Sequence, residues 1–302
     1  GGLIGGNTDS VTASNASGAV TGKQDVGGLV GANGDRSQGG GLPGGTIETS
    51  TASGTVTVNE SATAPTQFGG LVGQNYQGTV TTSNATGDVQ ADDAKSVGGL
   101  VGYTNGTGAS AVVNVSYATG NVTGNERVGG LVGTNKNDLV TESYAIGSVN
   151  GSVSVGGLVG NNTGTLATVN DSYAAGLVSG DSTGGLVGTN ESGATVENAY
   201  WDTETTGVSG SGPGTGLTTD ELKGDSASEN TQLSIGTTWA VKTDTEVSYP
   251  YLLNNTQSPA PGLETPVSVD AIGARDATIE VGEQGQLVVR ATASGDPVAD
   301  TQ

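Results

Sequence analysis

The box Gly27-Gly28-Leu29-Val30-Gly31 returns, as near-copies, at residues 1, 69, 98, 129, 156 and 184. A chain that repeats one phrase seven times is constrained first by that period. The box starts lie 26, 42, 29, 31, 27 and 28 residues apart, and the long interval carries an insert rich in Gly, Ser and Pro between Gly34 and Gly45. The unit is therefore about 28 residues. Each box is followed by a second recurring line, seen as Val80-x-x-Ser83-Asn84-Ala85, Val113-x-x-Ser116-Tyr117-Ala118 and Val140-x-x-Ser143-Tyr144-Ala145. A Gly-x-Val step then follows, as at Gly120 and Val122.

One unit thus holds three short apolar pieces separated by Gly, Asn, Ser and Thr. Pieces of four to six residues rich in Val, Thr and Tyr between turn formers read as strands, and no window keeps apolar residues at helical spacing for long enough to form a helix. A three-stranded unit cannot bury its own apolar face, so it must stack on the next one. The fold expected is all-β: a right-handed parallel β-helix (β-solenoid) of about seven coils, with equivalent strands about 4.8 Å apart. The right-handed sense follows the usual preference of parallel crossovers. Leu29, Leu71, Leu100, Leu131, Leu158 and Leu186 should form one internal ladder. Asn7, Asn33, Asn75, Asn135, Asn162 and Asn190 should stack at a coil corner, where Asn satisfies backbone groups and tolerates left-handed geometry. Thr104 interrupts that row, so its corner is expected to be irregular.

On these residues the chain resembles an array of GLUG-motif repeats over about its first 200 residues. The resemblance implies a repetitive extracellular region of an adhesin-like, cell-surface microbial protein, and it implies no single reaction. Relatives with a peptidase domain need a metal motif such as HExxH, whereas this chain has no histidine.

Composition narrows the reading further. With 55 Gly, one Phe and 32% apolar residues, a thick core is not expected. There is no cysteine, so disulfides and thiol chemistry are excluded and stability must come from ladders and stacking. Thirty acids against nine bases give a formal charge of −21, dispersed along the chain. Nucleic acid and anionic membrane surfaces are poor partners for such a surface. A scattered acidic skin is instead expected of proteins from brine, where a Debye length near 3 Å at about 1 M salt screens self-repulsion. A halophilic, archaeal origin is the reading preferred. No signal peptide or apolar span is seen, so direct membrane insertion is not expected of this segment. Because the chain opens inside a repeat, the reading expects a fragment whose export signal and anchor lie elsewhere.

The domains expected are residues 1–207, the repeat solenoid; 208–253, its C-terminal cap; 254–266, a Pro-rich linker; and 267–302, an incomplete Ig-like β-sandwich. Val196-Glu197-Asn198-Ala199-Tyr200-Trp201 ends the array with a bulky aromatic, and an open end needs a cover. Residues 217–223 suggest one or two helical turns within that cover, and the tail resembles the segment that closes GLUG arrays. Residues 267–302 alternate apolar and polar residues and resemble the opening of an invasin-type immunoglobulin-like domain. Only 36 of the ~100 residues such a sandwich needs are present, through truncation or completion by a neighbour's strand.

Sequons for N-glycosylation occur at Asn15, Asn59, Asn84, Asn105, Asn114, Asn121, Asn150, Asn161, Asn170, Asn190 and Asn254. Trp201, Trp239, Tyr249 and Tyr251 read as packed aromatics, with glycan stacking as the sharper alternative. No catalytic, cofactor or metal site is expected. Asp92 and Asp93 are the only Ca²⁺ ligands worth weighing, against solvated loop charge, and no GGxGxD repeat accompanies them. The functional expectation is an extracellular, cell-surface stalk or adhesin without catalysis, whose partners are extracellular polymers or proteins, self-association among them. The alternatives are a polysaccharide-binding or polysaccharide-cleaving β-helix and a filament subunit joined by strand donation.

Overall fold

The structure, a computed structural model, describes residues 1–34, 44–106, 112–210, 212–244, 247–255, 257–258 and 260–262, together with the backbone of strands within 277–297. Residues 1–263 form one compact unit and residues 264–302 a second.

The first unit is a parallel β-solenoid. One coil runs through five strands, not three: Val72–Tyr76, Thr79–Thr81, Asn84–Ala85, Val89–Gln90 and Lys95–Gly98. We call the faces they belong to I to V. Copies of each strand stack in register, as in Val80 on Ile47 and under Val113. Face I holds seven strands and face V six, so the array makes about six complete turns. The extra faces were hidden because two-residue strands such as Asn84–Ala85 are too short to show a period.

Two apolar cores run along the axis rather than one. The leucine ladder, residues 29, 71, 100, 131, 158 and 186, lies at 0–1% exposure with the valines of faces I and II and the alanines of face III. Phe68 and the valines of faces IV and V fill the second core. Between the two cores the coil is pinched by the double glycine. A Cβ on Gly70 would lie 2.1 Å from the carbonyl oxygen of Gly99 and 2.9 Å from Cβ of Ala85. Glycine faces alanine at this waist in successive coils, which explains why both residues recur.

The asparagine row forms a buried amide ladder. Asn33 Nδ2 donates to Asn75 Oδ1 at 2.8 Å, and Asn135 Nδ2 to Asn162 Oδ1 at 2.8 Å. Each amide also takes a backbone carbonyl, as Asn75 does with Gly78 O at 2.8 Å. None of the row has a left-handed backbone. At that corner it falls two residues later, on Gln77 and Asn137; elsewhere it falls on Ala64, on Asp25, Gln67, Ser96, Arg127 and Ser154 in face V, and on Ala13, Thr49, Thr82, Val115, Glu142, Asp171 and Asn198 before face III. At Thr104 the backbone register holds, with Thr104 paired to Asn75 and Asn135. The side-chain bonds change there, with Thr104 Oγ1 donating to the buried carboxylate of Asp138, and residues 107–111 of this corner lie outside those described.

The C-terminal cover has two parts. Trp201 replaces Ala174 in the face III register, and its indole lies where a Cβ on Gly185 would be, donating to Val208 O at 2.9 Å. Strand Thr215–Leu217 adds an eighth member to face III beside it. The stretch from residue 218 to 262 then turns back along the outside of face III instead of covering the end. Trp239, Tyr249, Leu222, Leu233 and Leu252 pack on the outward tyrosines 117, 144, 173 and 200. Those rings stack, with centroids 5.0 Å apart from Tyr117 to Tyr144 and 5.2 Å from Tyr144 to Tyr173.

This strap extends into the stretch expected to be a linker. Asn255 Nδ2 donates to Ser83 O and to Val115 O, both at 3.0 Å, and Tyr144 Oη donates to Gln257 Oε1 at 2.9 Å. The expected helical turns reduce to the bond from Leu222 N to Thr218 O, and the α-helix itself follows at Gly224–Asn230.

In the second unit, strand Ala277–Val281 pairs antiparallel with Leu287–Ala293, which pairs further with Asp296–Pro297. No Ig-like sandwich is shown, and the other residues of 267–302 lie outside those described. The insert at 35–43 lies outside them as well.

Candidate functional site

Faces I and V meet back to back at the third glycine of the box. A Cβ on Gly133 would lie 2.5 Å from the backbone nitrogen of Val97, and one on Gly160 2.5 Å from that of Val128. Glycine is required for this approach, and the left-handed residue preceding each of those valines supplies the kink. Its φ is 66° at Gln67, 59° at Ser96 and 56° at Arg127. The kink turns these side chains outward, where they face a row on face I that includes Gln74, Tyr103, Thr134 and Asn161 in mutual register.

Between the rows lies an open groove of about 420 Å³ that follows the solenoid axis across successive coils. Its side chains are hydroxyls, amides, one aromatic ring and two cations, with no aliphatic residue and no carboxylate among them. Ser96 and Thr134 hydroxyls bond at 2.9 Å, and Arg127 Nε donates to Ser96 Oγ at 3.3 Å. Gln67 and Gln74 are at least nine-tenths buried, yet Gln67 Oε1 and Gln74 Nε2 have no partner among the described residues. Asn161 Nδ2 donates to Glu191 Oε1 at 3.0 Å, and Thr163 Oγ1 to Glu191 Oε2 at 2.5 Å. These bonds, first that from Thr163 and then that from Asn161, hold the Glu191 carboxyl below its ordinary pKa.

The residues singled out from sequence lie elsewhere. Trp201, Trp239 and Tyr249 are 3%, 0% and 4% exposed, so they offer no ring face to a sugar; Tyr251 is half-buried. They were attractive because they are the largest apolar groups in the tail, and they are buried for the same reason. Among the sequons, Asn15, Asn121, Asn150 and Asn254 are exposed. The amide nitrogens of Asn84, Asn161 and Asn190 are already hydrogen-bonded, to Asn255, Glu191 and the carbonyl of Ala194. Asn59, Asn105, Asn114 and Asn170 are half-buried. Asp92 and Asp93 are exposed in a tight turn closed by Ala94 N to Ala91 O at 2.8 Å. Among the described residues no three Asp, Glu, His or Cys side chains converge to hold a metal ion.

The groove was missed because it is built from the positions that vary between repeats. Its one legible signal was Arg127, a rare cation at the place where other coils carry Asp25, Gln67, Ser96 and Ser154.

The contact between face III and the strap contains the most strongly shifted groups. Burial raises the pKa of Tyr117 and Tyr200, and raises Tyr144 and Tyr173 well above the ordinary value of 10.0. Tyr249 is raised far as well, first by burial and then by its bond to Asp202. In the unfolded chain these phenols ionise near pH 10. Above that pH the unfolded state binds fewer protons than the folded one, so stability falls as pH rises, whereas below pH 10 these groups give no slope. Alkaline titration is expected to release the strap above about pH 10, read as Trp239 fluorescence changing together with tyrosinate absorbance. Tyrosinate absorbance accounting for all eight tyrosines near pH 10, without a change in fluorescence, would contradict this burial.

The fold thus defines a class, the parallel β-solenoid built of short glycine-rich repeats. The family model of the GLUG motif matches residues 23–57 and 64–90, so these two stretches carry that motif. They span strands of the coils described above, and the coils up to face III of the seventh rung repeat the same elements in register. No curated protein and no solved structure matches the chain. Among the described residues no helix is long and apolar enough to cross a membrane.

Proposed function

We propose that the chain is an extracellular segment of a microbial cell-surface protein, serving as a stalk and adhesive surface without catalysis. The observation that carries this reading is the division of each rung. Inward residues repeat almost unchanged over seven strands of face I, while outward ones vary. Such a division supports a rigid spacer whose surface is free to diverge. The groove favours one form of adhesion, the holding of a polysaccharide, because its walls are amides and hydroxyls rather than convergent acids and bases. The −21 charge supports a salt-rich, haloarchaeal setting.

Two measurements test this. Cells displaying the chain should be retained on polysaccharide-coated surfaces under flow and release no reducing ends; release of new ends would establish an enzyme instead. The melting temperature should rise between about 0.1 M and about 1 M salt, where the Debye length falls from roughly 10 to 3 Å. A flat or falling response would remove the halophilic part of the reading.

A further inference from the structure

Resting on the polysaccharide-holding form of that reading, we propose that the groove between faces I and V binds an unsulfated linear polysaccharide bearing carboxylates, a polyuronate, with Arg127 and Lys136 taking the carboxylates. Thirty acids outnumber nine bases in the chain, yet the groove wall holds two cations and no acid. Arg127 is held in place by its left-handed backbone and by the bond from Nε to Ser96. Its guanidinium makes no direct ion pair among the described residues; the Glu191 carboxylate, bonded to Thr163 and Asn161, feels its charge without contacting it. Lys95 of the same face is instead neutralised by Glu126 at 2.9 Å. A guanidinium fork matches a carboxylate with two parallel bonds, and an ammonium at the mouth adds charge.

The rest of the groove selects a sugar chain over other anions. A docked peptide would want apolar pockets, which this wall does not offer. Sugar hydroxyls suit the amides of Gln67 and Asn161, each of which has an oxygen without a partner among the described residues, while Asn161 Nδ2 stays bonded to Glu191. The Tyr103 ring supplies the one aromatic surface in the wall. Because the groove repeats its polar rows about every 4.8 Å, it fits a polymer better than a single small anion. Glu191, bonded to Thr163 and Asn161, sets a negative limit at one end, so the carboxylates should seat toward Arg127.

The test measures binding of the whole chain, in calcium-free buffer, to alginate, its methyl ester, dextran and dextran sulfate. Alginate is expected to bind, with a loss of at least about tenfold for the ester. The double variant Arg127→Gln/Lys136→Gln should lose alginate binding by about tenfold or more. Lys223→Gln, on the strap, should bind as the parent does, with circular dichroism unchanged in all. Equal binding of alginate and ester, or parent-like binding by the double variant, overturns the carboxylate site while leaving polysaccharide adhesion standing. Equal weakening by Lys223→Gln, or preference for dextran sulfate, shows general polyanion attraction and also overturns it. Binding to none of the four overturns the groove as a sugar site, while retention of displaying cells on other surfaces decides adhesion separately.

Discussion

Gly130→Ala is expected to destabilise the solenoid by about 3 kcal/mol, the upper end of what overpacking costs. The added methyl would lie 2.1 Å from the carbonyl oxygen of Gly157 and 2.9 Å from Cβ of Ala145. The first of these is backbone in a paired strand and cannot rotate aside. Relief requires coils four and five to move apart, which breaks the bond from Gly130 N to Gly156 O and weakens the ladder on both sides. In an array held by nearest-neighbour stacking, a fault at mid-length removes cooperativity as well as stability. Gly18→Ala is the matched control. A Cβ there meets nothing within 4 Å and its φ is not left-handed. It should be neutral or stabilising by about 0.5 kcal/mol through the unfolded state. Denaturant midpoints and slopes of the two variants check the contrast, and a Gly130→Ala midpoint equal to that of Gly18→Ala would mean the waist is looser than described.

Asp202→Ala is expected to cost about 3 kcal/mol and to free the strap from the end of the solenoid. Asp202 is fully buried. Its Oδ1 accepts the backbone N–H groups of Glu204 at 2.9 Å and Thr205 at 3.0 Å. Its Oδ2 accepts the hydroxyls of Thr219 at 2.7 Å and Tyr249 at 2.5 Å. One carboxylate thus joins the last rung, the turn after it and the strap. Alanine would leave two N–H groups and the Tyr249 hydroxyl without that acceptor in a buried place, and such desolvated donors are expensive. Limited proteolysis should cut residues 218–262 faster while the coils up to Tyr173 resist. Asp202→Asn should be milder, since one amide oxygen still accepts. Uniform resistance in Asp202→Ala would place the strap's anchorage in its aromatic contacts alone.

What could be read from sequence follows from where physical repetition reaches the residue type. The leucine and asparagine rows were legible because every coil meets the same demand for an apolar filler or a stacked amide. The left-handed kinks were not, since Asp25, Gln67, Ser96, Arg127 and Ser154 share a backbone conformation and no side-chain chemistry. The strap's course was written faintly in face III. Asn15, Thr51 and Asn84 occupy the place that Tyr117, Tyr144, Tyr173 and Tyr200 take in later coils. Polar residues give way to rings where Trp239 and Tyr249 arrive, and Asn84 instead meets Asn255. Had that switch been read as a footprint, a cover along the flank would have followed. The groove escaped for the opposite reason, because it is made of the residues that repetition leaves free.

The stacking itself is tested most directly by electron–electron distance measurements between spin labels on one outward row of face II. The chain contains no cysteine, so introduced pairs report without background. Thr12, Glu48, Thr81, Asn114, Thr141, Asn170 and Glu197 follow one another in register. With Thr12→Cys as the fixed site, each further rung should add about 4.8 Å, reaching roughly 29 Å at Glu197→Cys. Distances that scatter, or that fail to grow in equal steps along the row, would contradict the solenoid.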